Sequence, residues 1–139
     1  MKQGTSVNQS DRDAVDASNR GVVERFFAAS ERGDVAALET MVDDEMTMAW
    51  PQSGERFRGR PNVLAAMGAV EVKPEFAGQP RLLGSGDLWV LMVPLRYGDD
   101  ILHYVAVLEL QEGRIHHATG YWGAPFPAQE SRAPFADRL

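Results

Sequence analysis

The chain has no cysteine, so disulfides and thiolate-ligated metals are excluded and the redox compartment is left open. No apolar run approaches membrane-spanning length, and no cluster of lysines or arginines interrupts a formal net charge of −6. A phosphate-backbone or anionic-membrane partner is therefore not expected. The opening MKQGTSVNQSDRD is polar rather than signal-like, which makes a cytoplasmic location the expectation. Internal repeats and low-complexity blocks are also missing. At 139 residues with 44% hydrophobic and 24% charged composition, the chain suits one globular domain. Domains of this length bury roughly 68–70% of the surface their unfolded chains expose.

Periodicity divides the chain in two. Val15, Val22, Val23, Phe26, Phe27 and Ser30 recur at helical spacing and predict a helix over Asp13 to Arg32, after a flexible leader. Gly33 stops it, and Asp34 caps a short helix bearing Val35, Leu38 and Met41. Met46, Met48 and Trp50 alternate with Thr47 and Ala49 as in a strand, with a short strand to follow at Arg56 to Arg58. Gly59-Arg60-Pro61 opens a third helix lined by Val63, Leu64, Met67 and Val70. Beyond Pro74 the pattern reads as strand throughout: Glu75–Leu83, Leu88–Tyr97, Ile101–Leu110 and Arg114–Trp122. Pro94 lacks a ladder donor and marks a bulge or a local edge. Helices followed by an antiparallel meander make an α+β domain with helices on one sheet face. The tail GAPFPAQESRAPFADRL is expected to be extended, with Phe126 and Phe135 anchoring it on the body or on a partner subunit.

The last hairpin carries the functional signal. A three-residue loop Gln111–Gly113, closing on a left-handed glycine, sets Ala106 opposite Ala118 and Tyr104 opposite Gly120. Leu108 then faces His116, and Leu102 faces Trp122. Small side chains clustered on one face leave a hollow, and an apolar hollow with a few polar groups at its rim is the usual form of a small-molecule site. A helix or a bulky side chain filling the gap is the plainer alternative. His116 and Tyr104 could act as proton carrier and oxyanion donor; equally, His116 could simply sit at the sheet edge. His116 and His117 point to opposite faces, so they cannot share an ion, and no metal or cofactor is expected. His103 and His117 fall on the outer face. Arg96 and Glu109 are candidates for a cross-sheet pair, and Met41, Met46, Met48, Met67 and Met92 for a soft apolar lining.

The order of these elements resembles a known family. Two helices joined at Arg-Gly-Asp (ERGDVAALETMVDDEMTM), a Gly-Arg-Pro helix, a meander and a closing GRI…YW strand are similar to the nuclear transport factor 2-like superfamily, in its SnoaL-like and ketosteroid-isomerase-like branch. The resemblance covers residues 14–122 and leaves 1–13 as leader and 123–139 as tail. It implies a cone-shaped curved antiparallel sheet, wrapped by three N-terminal helices around an apolar pocket, and a homodimer. Phe26, Ser30, Trp50, Met67, Ala106, Ala118, Gly120 and Trp122 would line that pocket.

The family's catalytic groups do not transfer. The general-base aspartate of ketosteroid isomerases would fall on Trp50, their oxyanion-hole tyrosine on Phe26 and their protonated aspartate on Ala106. The catalytic aspartate of limonene epoxide hydrolases would fall on Gly120, and the acid many relatives carry after the aromatic pair on Gly123. Loss of a positioned base costs ~10²–10⁴-fold in rate. The expectation is a protein binding a small hydrophobic molecule, acting by acid–base chemistry as an isomerase, polyketide cyclase-like enzyme or dehydratase with Tyr104 and His116 as catalytic pair. The alternative is a non-catalytic ligand-binding or dimerisation module.

Overall fold

Residues 8–139 are described by a computed structural model. Helix α1 spans Gln9–Arg32. It begins earlier than its apolar stripe suggests, because Asn8 is the cap: its side chain accepts from the Asp11 amide at 2.9 Å. Of the expected leader, residues 1–7 lie outside the described residues, and 9–13 are the helix's first turns. Gly33, at φ 70°, turns its N–H back onto the Ala29 and Ser30 carbonyls and ends the helix. Helix α2 (Val35–Met41) starts on Asp34, whose carboxylate accepts from Ala37 N at 3.1 Å. Helix α3 (Arg60–Gly68) has its proline in the first turn, where the missing N–H costs nothing.

The strands are β1 (Val42–Trp50), β2 (Glu55–Arg58), β3 (Glu75–Phe76), β4 (Arg81–Ser85), β5 (Leu88–Tyr97), β6 (Asp100–Gln111) and β7 (Arg114–Gly123). They form one open sheet in the order β2-β1-β7-β6-β5-β3, with β4 also paired to β5. All pairs are antiparallel except β1 with β7, the one parallel pairing in the sheet. The strand expected over Glu75–Leu83 is two pieces, broken between Phe76 and Arg81. The break lies beside Pro94: Ala77 N reaches the Pro94 carbonyl at 2.8 Å, and a Cβ on Gly78 would come within 2.9 Å of the proline ring. Proline thus interrupts the neighbouring strand rather than its own.

Trp89, Leu91, Val93 and Leu95 alternate along β5 as buried residues, and Val23, Phe26, Ala29, Leu38, Val42, Met46 and Val63 pack with Trp89, Leu108 and Ile115. The helices therefore cover a single face. The opposite positions Val90, Met92 and Pro94 are only half-buried, so β5 is central without being covered on both sides. Met46 and Met48 belong to the core and Met41 and Met67 pack against it, whereas Met92 lies on the outer face. Arg96 stands opposite Ile101 while Glu109 stands opposite Leu88, at the far end of β5; the proposed cross-sheet pair does not exist.

Residues 124–139 are exposed throughout, including a 3-10 turn at Glu130–Phe135. Phe126 and Phe135 do not anchor the tail on this chain's own body. No described helix is long and apolar enough to cross a membrane.

Candidate functional site

The β6–β7 hairpin closes on two residues, not three. Glu112 and Gly113 have φ of 52° and 75°, and Gln111 pairs with Arg114. Left-handed conformations at both central positions are the mark of the tight turn that matches strand twist. One residue is then inserted at His116, since Leu110 pairs with Ile115 and Glu109 with His117. The pairs that follow are Leu108–Ala118, Ala106–Gly120 and Tyr104–Trp122. Each is shifted by two from the expected register. A two-residue slip keeps every side chain on its face, so the small-residue face was identified correctly while its opposite numbers were not.

The space over Gly120 is filled. A Cβ on Gly120 would lie 3.0 Å from Cη2 and 3.2 Å from Cζ3 of Trp122, and 3.5 Å from Cδ1 of Trp50. Trp122 lays its own indole across the space that Gly120 vacates. Several contacts hold it there. Its backbone N–H donates to Gln52 Oε1 at 2.5 Å and its carbonyl accepts from Gln52 Nε2. Its Nε1 donates to Tyr97 Oη at 2.9 Å, and its ring meets Trp50 edge-on at 5.3 Å and Tyr104 at 5.0 Å. Gln52, in the β1–β2 turn, carried no sequence signal for this role.

The expected site residues divide between two clusters. Phe26 and Ala118 belong to the helix-covered core, with Met67 packed against it. The Ser30 hydroxyl donates to the Phe26 carbonyl of its own helix at 2.9 Å, so it is already satisfied. Ala106 belongs instead with Leu91, Val93 and Leu95, against which Phe27, Phe76, Leu82, Tyr97, Tyr104 and Trp122 pack. Trp50 bridges toward this second cluster through Trp122 and meets Phe57 edge-on at 4.6 Å. Tyr97 is a site residue that the sequence reading passed over. Its signal was present: it continues the Leu91, Val93, Leu95 alternation onto the same face.

Within this aromatic cluster the phenols are the polar groups with chemistry to offer. Burial pushes the Tyr104 hydroxyl well above the usual tyrosine range, and neighbouring Tyr97 adds to the shift. Burial also raises Tyr97, opposed by the hydrogen bond from Trp122. Both are hydrogen-bond donors at neutral pH. Tyr97 Oη accepts from the indole and keeps its proton to give, and among the described residues the Tyr104 hydroxyl has no hydrogen-bond partner.

His116 is elsewhere. It is six positions from Trp122 along β7, roughly 20 Å at ~3.3 Å per residue. Tyr104 stands opposite Trp122, so the expected catalytic pair does not meet over one substrate. At its bulge His116 Nδ1 faces Asp43 Oδ2 at 3.5 Å. The Asp43 carboxyl is held below its ordinary value by the Glu45 amide, against some burial, and further by His116 and Arg114. His117, on the outer face, is tied to Thr47 Oγ1 at 2.6 Å and Thr119 Oγ1 at 3.2 Å. No cluster of three or more potential metal ligands occurs among the described residues.

Helices on one face of an open, bulged sheet, with an aromatic cluster at the sheet's end, define a cone-type α+β domain. The chain belongs to the SnoaL-like domain family, whose model matches residues 23–118. Among solved structures it is similar to a nuclear transport factor 2-like protein of unknown function from Burkholderia xenovorans, at 30% identity and TM-score 0.76, over 88% of this chain and 96% of that one. A structure from Kribbella flavida, provisionally named a ketosteroid isomerase, aligns at TM-score 0.83 and 21% identity, over 89% and 91% of the two chains. A provisionally named SnoaL-like polyketide cyclase from Jannaschia aligns at TM-score 0.68 and 13% identity, over 86% and 91%. These last two likenesses show the fold alone. No curated protein matches the sequence.

Proposed function

We propose that this SnoaL-like chain binds a small, uncharged, hydrophobic molecule carrying a carbonyl or hydroxyl oxygen, at the aromatic end of the cone. The observation that carries the reading is the Tyr104 hydroxyl, protonated at neutral pH, set among the aromatic rings and without a hydrogen-bond partner among the described residues. A ligand oxygen accepting from it would gain about 0.5–1.5 kcal/mol, the usual net worth of such a bond. Tyr97 is the second donor. Trp122 moves off Gly120 to admit the guest and then serves as a stacking wall, since one indole hydrogen bond, an edge contact with Trp50 and a tilted contact with Tyr104 hold its side chain.

Binding is favoured over turnover. The shift at Tyr104 has burial and Tyr97 as its causes, with no carboxylate among them. A donor without a facing base can hold an enolate-like oxygen but cannot itself abstract the proton that isomerisation or cyclisation requires. Turnover of the isomerase, cyclase or dehydratase type would need a base brought by the substrate or by a bound water. The reading includes a homodimer formed through the outer face around Val105 and Val107, which no described helix covers.

Tryptophan emission tests the reading directly. Titrating uncharged cyclic and aromatic ketones should quench or shift the emission, and Tyr104→Phe should weaken the response about tenfold. If no compound in a broad panel changes the emission, or if Tyr104→Phe binds as tightly as the parent, the reading fails.

A further inference from the structure

A second feature is independent of the aromatic cluster and lies at the edge of the sheet. Strand β2 comes first in the sheet order, so one of its sides has no neighbouring strand. Gly59 N donates to the Met46 carbonyl at 2.8 Å, which makes the alternate pairs Met48–Phe57 and Trp50–Glu55 the ones that bond across to β1. In an antiparallel ladder the residues between such pairs turn their main-chain groups away. Those residues are Arg56 and Arg58. The Asn62 amide of α3 takes the Arg58 carbonyl at 2.9 Å. The Arg56 N–H and C=O and the Arg58 N–H are left without a partner among the described residues.

The free edge opens onto a groove of about 520 Å³, with Arg56, Phe57 and Arg58 on the strand side and Asn62, Ala65 and Ala69 among the residues on the helix side. Side chains this small leave the edge uncovered. Alternation puts the Arg56 and Arg58 side chains on the outer face with Ala49 and Thr47, and Phe57 on the core side, where it packs against the buried cluster. The ion pairs among the described residues involve Arg32, Arg60 and His116, so neither guanidinium has a carboxylate within salt-bridge distance. Charged side chains on an edge strand ordinarily turn other strands away. Here both charges carry one sign, in a chain of net charge −6, so the edge repels basic strands and complements acidic ones.

We infer that β2 receives an extended acidic segment of another protein as an added antiparallel strand in this groove. A segment residue opposite Arg56 donates to the Arg56 carbonyl and accepts from the Arg56 N–H. The residue two positions earlier accepts from the Arg58 N–H. A small organic anion could match the two donors but not the carbonyl, and that need for a donor selects a peptide. Acidic side chains at the two paired positions share a face with the guanidiniums, where charge-assisted bonds form. The residue between them points toward the Phe57 side and is apolar. The recognition element is therefore acid–apolar–acid in extended form. A strand of four residues makes the contact a transient one rather than a permanent interface.

Fluorescence anisotropy of the labelled peptide Gly-Ser-Glu-Val-Glu-Ser-Gly, titrated with the full chain, tests this. Saturable binding is expected, weakening as salt is raised. N-methylation of the second glutamate removes the donor to Arg56 and should weaken binding at least tenfold. N-methylation of the valine, whose N–H points away from β2, should change little. The variant Arg56→Glu with Arg58→Glu should lose this peptide and bind its Gly-Ser-Lys-Val-Lys-Ser-Gly counterpart instead, which separates docking from damage to the fold. Ala65→Trp, at an exposed position, should block the groove, whereas Tyr104→Phe should leave peptide binding unchanged and so keeps this site distinct from the aromatic cluster. The inference is overturned if the glutamate peptide does not bind, if methylating the second glutamate has no effect, if the charge swap does not transfer the preference, or if N-acetylglutamate competes as well as the unlabelled peptide.

Discussion

The indole of Trp122 donates to the Tyr97 hydroxyl at 2.9 Å while its ring covers Gly120, so one side chain both plugs the small-residue face and ties β7 to the end of β5. The ring takes the space that the missing side chain of Gly120 leaves open. Four outcomes follow from this arrangement and from the contacts around it.

Gly120→Ala should displace the Trp122 ring, because the new Cβ would sit 3.0 Å from its far edge. The ring can swing, so the loss of stability should stay within about 1–3 kcal/mol, the usual range for overpacking. Urea unfolding gives the magnitude, and a change in tryptophan emission identifies the ring as the group that moved. An unchanged spectrum would mean that the indole does not fill this space.

Gly84→Ala should be far worse. There the added Cβ would meet the Leu88 carbonyl and the indole of buried Trp89, and backbone cannot step aside as a ring can. A loss at or beyond ~3 kcal/mol, or failure to yield folded protein, is expected. Soluble expression and thermal unfolding check it.

Asn19→Ala should cost about 1–2 kcal/mol without abolishing the fold. Asn19 is the one buried polar side chain among the described residues, and its amide donates to the Gly86 carbonyl at 2.8 Å. That carbonyl also receives Trp89 Nε1 at 2.9 Å, and Gly86 N donates to Asp16 at 2.7 Å, so the β4–β5 turn stays tethered to α1. Chemical denaturation of Asn19→Ala, Asp16→Ala and the double variant would expose the coupling between the two anchors.

Stability should fall at both pH extremes for identifiable reasons. The Asp43 carboxyl titrates below its ordinary value of 3.8 when folded, so its contribution is present above that pH and is lost as the pH falls through the depressed value. Asp43→Asn should flatten the acid limb of a Tm–pH curve. Tyr104 titrates above its ordinary value of 10.0 when folded, so its contribution is complete below that pH and is lost as the pH climbs toward the raised value. Tyr104→Phe should flatten the alkaline limb and leave the acid one unchanged.

Helix boundaries set by caps, such as Gly33 and Asp34, and strands set by alternation, such as Trp89 to Leu95, were legible because their causes lie within a few residues of chain. The same holds for the face that carries Ala106, Ala118 and Gly120, since side-chain direction follows from parity. The helix start at Asn8 was missed because a cap outside the apolar stripe leaves no periodic trace. Tyr97 was missed although its parity was readable.

Long-range pairing decided the remainder. The two-residue turn at Glu112-Gly113 and the bulge at His116 shift the hairpin by two, and a single inserted residue is invisible to a pattern of period two once the turn absorbs it. The parallel pairing of β1 with β7 places Met48 beside Ala118 and lets Gln52, seventy positions before Trp122, hold that residue's backbone. That hold, with the Tyr97 bond, aims the indole over Gly120. The chain's chemistry supplies the small residues and the rings; which of them fills the space depends on contacts between segments far apart in sequence, and those exist only once the sheet has assembled.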